Sequence, residues 1–175
     1  MRTMRRALGI LAASTLAAGA FGQGISLKAG YFSGESFTGF GGSSVRLEGL
    51  ELGADLTLLK LPLVPVELRL SPSVVFGGGL RHGSDDDGTI YRLMATARVS
   101  KPGGTGYLAG GLGFARIEPR GGAPFESKDG FVGQIALGSA AANVAPLVPQ
   151  PFFEVAYSFG DAEFRGLTLS VGVRL

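Results

Sequence analysis

The sequence has no cysteine, no tryptophan and a single histidine, and only 17% of its 175 residues are charged. Without cysteine there is no disulfide framework, no thiol chemistry and no lipid-anchored terminus. Beyond residue 20 no apolar run approaches the length of a transmembrane helix, so any membrane span has to be built from strands. A nucleic-acid partner is not expected either. The formal net charge of +2 owes to Arg2, Arg5 and Arg6; setting these aside leaves 13 basic against 14 acidic residues, or −1. No basic patch interleaved with aromatics is present. What is abundant is glycine, 30 of 175. Low charge with many glycines suits a β protein whose turns and close-packed interior need small residues.

The first residues read as an address. Met1–Arg6 is basic, Ala7–Ala17 is apolar, and Ala18-Gly19-Ala20 offers an A-x-A cleavage pattern, with Gly22 a later possibility. Residues 1–20 are therefore expected to be a signal peptide, and 21–175 a single domain.

The pattern of that domain is set by Leu50–Leu58, in which Leu, Ala and Leu alternate with Glu51, Gly53, Asp55 and Thr57. Successive strand side chains point to opposite faces, so one face is apolar and the other acidic. Nine residues fit a bilayer-spanning strand, which needs about 9–11. The same alternation recurs in Ile25–Tyr31, in Val66–Phe76, in Tyr91–Val99, in Phe131–Leu137, in Phe153–Phe159 and in Leu167–Leu175. Tyr107–Ile117 is strand-like, but its glycines leave the faces unassigned. That makes eight strands, and an even number of antiparallel strands can close without leaving an edge. Val45–Glu48 alternates in the opposite phase to Leu50–Leu58, which predicts a bulge or a strand entry near Gly49. Loops are expected at 33–44, 77–88 and 118–129, with shorter turns between them.

Eight strands also make soluble barrels, so the choice turns on which face is inside. The polar face carries both signs of charge: Lys28, Glu51, Asp55, Glu67, Arg69, Arg92, Arg98, Glu154 and Arg174. Such a mixture can neutralise itself within a narrow barrel through paired, hydrogen-bonded charges. The apolar face places Tyr31, Phe76, Tyr91 and Phe159 near strand ends, as interfacial girdles require. The expected fold is thus an all-β, eight-stranded antiparallel up-and-down transmembrane barrel, exported to the outer membrane.

The whole mature chain resembles the eight-stranded outer-membrane barrel family of OmpA-like transmembrane domains, OmpX and OmpW. The resemblance rests on the signal segment, the alternating strands, the glycine-rich Tyr107–Phe114 and the alternating last strand. The family's usual aromatic final residue is replaced by Leu175. The resemblance implies insertion into outer-membrane lipid by the outer-membrane assembly machinery.

Few other residues suggest chemistry. His82 lies near Ser84 and Asp85–Asp87, but contiguous loop residues lack the geometry of a Ser-His-Asp site. The Asp85-Asp86-Asp87-Gly88 run lacks the spacing of an EF-hand. No enzyme activity, metal or cofactor is expected. The nine interior charges either fill the barrel or line a narrow pore, and eight strands enclose a space that side chains can fill. A structural or surface-interacting role through the three loops is therefore expected. The alternatives are a narrow channel for small solutes and a soluble exported barrel that binds a hydrophobic ligand.

Overall fold

The computed structural model of the chain describes residues 24–42, 44–61, 64–77, 88–101, 103–141 and 148–175. The expected signal peptide, His82 and Asp85–Asp87 lie outside the described residues. Eight strands, β1 (Ile25–Thr38), β2 (Ser44–Lys60), β3 (Val66–Gly77), β4 (Gly88–Ser100), β5 (Gly106–Pro119), β6 (Lys128–Ala140), β7 (Gln150–Gly160) and β8 (Gly166–Arg174), close into one antiparallel barrel. Each strand pairs with its sequence neighbours, and β1 meets β8 from Ser26↔Arg174 to Gly34↔Gly166. Closure leaves no sheet edge to be satisfied elsewhere.

The two ends differ. At the terminal end, where Ile25 and Arg174 sit, short connections join β2 to β3 and β4 to β5. At the loop end, Gly41 and Gly42 take φ of 67° and 80° between β1 and β2. The β7–β8 connection contains a 3-10 turn, Ala162–Phe164, that carries Phe164 back over the barrel.

Two expectations about this end are corrected. Residues 33–44 are not a loop, because β1 runs on to Thr38 and β2 starts at Ser44. The register moves by one residue between Ser33 and Ser36, a bulge that turns Phe37 inward opposite Val45. The bulge predicted near Gly49 is also absent. In β2 the odd-numbered residues from Val45 to Thr57 are all buried, so the strand keeps one phase. What changes is the barrel's interior. Val45 and Leu47 enter an apolar layer, and Glu51 and Asp55 enter a charged one.

The faces of β5 are now assigned. Tyr107, Ala115 and Ile117 are buried within, whereas Leu108, Leu112 and Phe114 are exposed outside.

Candidate functional site

The interior has two layers, and each is specified by which residues fall on the inward phase of the strands. In the terminal half these are charged. Lys28 is paired in register with Gly53, and a Cβ there would crowd the lysine stem at 3.2 Å, so glycine gives the side chain its room. The Lys28 ammonium reaches Glu154 at 3.1 Å and Asp55 at 3.6 Å. Tyr107 donates its hydroxyl to the other Glu154 oxygen at 3.0 Å. Asp55 meets Arg69 at 3.4 Å, and Arg69 also donates to Glu67. Glu67 accepts from Arg174 at 2.6 Å and lies 3.7 Å from Lys60. The result is one continuous chain from Tyr107 through Glu154, Lys28, Asp55, Arg69 and Glu67 to Arg174. Alternating signs let each buried charge be met by an opposite one.

Glu51 and Arg92 form a second, deeper group. Their side chains meet at 3.4 Å, both nearly inaccessible, and Thr168 donates to Glu51 at 2.8 Å. The Arg92 guanidinium carbon lies 4.5 Å from the Phe32 ring centroid, which joins the charged layer to the apolar one above. Arg98 belongs to neither group. It sits 3.6 Å from the centroid of the Tyr107 ring. All nine charges read from the sequence therefore face inward, but they separate into a chain of six, a pair and a single arginine.

Tyr107 and Thr168 were missed in the sequence. Tyr107 was hidden by the glycines of β5, which blur the alternation that would place it. Thr168 was visible on the polar face of β8, but a hydroxyl gives no sign of which carboxylate it meets.

The loop half of the interior is a hydrophobic core. Phe32, Phe37, Val45, Leu47, Val75, Ile90, Ile117, Val132 and Phe164 are buried together there. Phe125 arrives from the β5–β6 connection and packs edge-on against Phe37, with centroids 5.7 Å apart. Its signal was present in the sequence as the opposite phase of Val45 and Leu47.

Little space is left. A cavity of about 20 Å³ lies between Lys28, Asp55, Arg69, Ser71, Thr96 and Glu154, room for roughly one water. Among the described residues no three His, Cys, Asp or Glu side chains are grouped to hold a metal ion.

Outside, the order is reversed. Leu50, Leu93, Leu112, Phe114, Phe131, Ile135, Leu137, Phe153, Leu169 and Val171 are exposed around the wall. Above them at the loop end runs a collar of ion pairs: Arg46–Glu48 at 2.8 Å, Arg116–Glu118 at 3.1 Å and Lys128–Glu163 at 2.8 Å. Tyr31 and Tyr157 stand at the boundary, donating to Glu48 at 3.0 Å and Glu35 at 2.8 Å. A phenol with its ring beside apolar surface and its hydroxyl among charges suits a membrane interface.

Neither a protein-family model nor the sequence of a curated protein matches the chain. Solved structures do. The crystal structure of Ail, the attachment invasion locus protein of Yersinia pestis, superposes with a TM-score of 0.52 at 17% identity, covering 87% of this chain and 99% of that one. The backbone structure of the same outer membrane protein in a phospholipid bilayer nanodisc gives 0.51 at 16% identity, with the same coverage. The N-terminal β-barrel domain of Pseudomonas aeruginosa OprF gives 0.47 at 16% identity, covering 87% of this chain and 98% of that one. At these identities the likeness is one of fold: this chain is a closed eight-stranded antiparallel barrel of the same architecture as Ail.

Proposed function

We propose that the protein is a closed, non-enzymatic outer-membrane barrel with a structural or surface-interacting role. The observation that carries this is the inversion of polarity. A continuous apolar wall surrounds paired charges, and a soluble monomer does not leave apolar surface of that extent in water. The collar of ion pairs marks where the wall leaves the membrane, and the strands continue beyond it with a polar exterior and an apolar core. In this reading the terminal end faces the periplasm, and the loop end, including residues 118–129, faces outward. The first turn contributes less than a 33–44 loop would, because most of that segment is sheet.

The packed interior favours a plug over a pore. Fractionation followed by gel mobility of unheated and boiled samples tests the membrane reading. Recovery with outer membrane and a shift on boiling are expected; a soluble periplasmic protein indifferent to boiling would overturn it. Planar-bilayer recording separates the plug, which gives no unitary events, from the narrow channel.

A further inference from the structure

Arg98 is 5% exposed, and its Nε has no hydrogen-bond partner. Among the described residues it makes no ion pair. Its cross-strand neighbours explain why. Arg98 is in register with Glu67 on β3 and Ala109 on β5. Glu67 is the acid within natural reach, but its carboxylate is already shared by Arg69, Arg174 and Lys60. Arg98, Arg69, Arg174 and Lys60 thus gather at this mouth around Glu67, and the next acid, Asp55, is already shared by Arg69 and Lys28. Residues 1–23, 62–63, 102 and 142–147 contain no Asp or Glu.

The arginine is nevertheless held in a fixed pose. Gly138 lies in register with Tyr107, and a Cβ at that position would fall 2.1 Å from the ring. The missing side chain lets the ring lie against β6. The hydroxyl bond to Glu154 at 3.0 Å then fixes the ring, and Arg98 rests on its face at 3.6 Å. Glycine, phenol ring and guanidinium form a three-layer stack. A guanidinium in a fixed plane is prepared to meet an oxyanion with two parallel N–H donors. A buried cation without a counter-charge is costly unless an anion completes it.

We infer that the terminal-end mouth binds a small oxyanion, a carboxylate or a phosphate, on the Arg98 guanidinium, with Arg69 and Arg174 adding positive field. That this mouth opens to the periplasm rests on the outer-membrane reading; the binding itself does not.

The test is an NMR titration of the ¹⁵N-labelled protein in detergent micelles, following arginine Nε–H resonances at constant ionic strength. Sodium phosphate and sodium acetate are the two probes, and sodium chloride is the control. A saturable shift of the Arg98 resonance with phosphate alone assigns a tetrahedral anion. Saturation with acetate alone assigns a carboxylate, and saturation with both assigns a general oxyanion site. Arg98→Lys keeps the charge, loses the fork and should weaken binding roughly tenfold. Gly138→Val, which displaces the ring, should weaken it as well. If that variant does not fold, Arg98→Lys carries the test alone. Linear shifts equal to those with chloride, or an undiminished response of the remaining arginines in Arg98→Gln, would overturn the site. A negative result would leave the membrane reading untouched, since gel mobility and fractionation test that separately.

Discussion

Arg92 and Glu51 set the largest stake held by single residues. The Arg92 side chain is inaccessible, and Glu51, 3.4 Å away, is its carboxylate partner. Removing one member of a buried pair leaves the other charged and unmatched, which costs about 3–5 kcal/mol, whereas replacing both with apolar groups can be neutral. Glu51→Gln should therefore destabilise the barrel by about that amount, and Glu51→Gln with Arg92→Met should recover most of it. Urea unfolding in micelles, read by the fraction of protein with folded gel mobility, measures both. A double variant as unstable as the single one would mean that Glu51 matters for Thr168, which donates to it at 2.8 Å, more than for Arg92. On the outer face the risk has the opposite sign. Leu169 and Ile135 are 47% and 54% exposed, directed at lipid in the membrane reading. Leu169→Arg and Ile135→Arg should each cost about 2–4 kcal/mol near the bilayer midplane in a vesicle-folding titration. Tolerance of both would place water, not lipid, against this wall.

Among the elements, β1 shows how one extra residue serves the packing. Ser33 is paired with Glu48 and Ser36 with Arg46, so β1 holds one residue more than β2 across that interval. Without the bulge, alternation from Phe32 would put Ser36 inside and Phe37 out. Deleting Glu35 should therefore be tolerated, because Phe37 still faces inward and the losses are the exposed bond from Tyr157 and the Glu35 N–H bond to the Arg165 carbonyl. Deleting Ala29, in the regular part of the strand, should abolish the folded gel band, since it drives either Lys28 or Tyr31 to the wrong face. The same strand shows what could be read in advance. Ile25–Tyr31 was legible because its polar residues face charge and its apolar residues face outward, as in Leu50–Leu58. Past Ser33 the pattern changes meaning. Phe37 now points inward, and Gly34, Glu35 and Ser36 before it look like a loop. Alternation reveals faces, but a sequence does not say at which residue a barrel leaves the membrane and its polarity inverts. Val45 and Leu47 carried that information and were misread as a register slip. The nine inward charges followed from alternation alone, whereas their partners did not. The link from Lys28 to Glu154 crosses 126 residues and depends on closure of β1 against β8.

For the whole molecule, the plugged reading makes the two interior layers independent barriers. The apolar layer excludes ions because it offers them no ligands, and the charged layer occupies its half with paired side chains. Eight strands leave little more than the volume that side chains fill. Conduction should therefore need both layers to be thinned. Phe164→Ala removes a fully buried ring from the apolar layer, yet Arg92 and Glu51 still block the path below it, so the variant should stay silent in a planar bilayer. Adding Phe32→Ala and Arg92→Ala removes the ring and the guanidinium that meet at 4.5 Å across the junction of the layers, and brief unitary events should then appear. Events from Phe164→Ala alone would place the whole barrier in the apolar half and leave the charged half a wetted vestibule. Silence from the triple variant, in protein that still shifts on boiling, would place it in the Lys28–Glu154–Asp55 cluster nearer the terminal end.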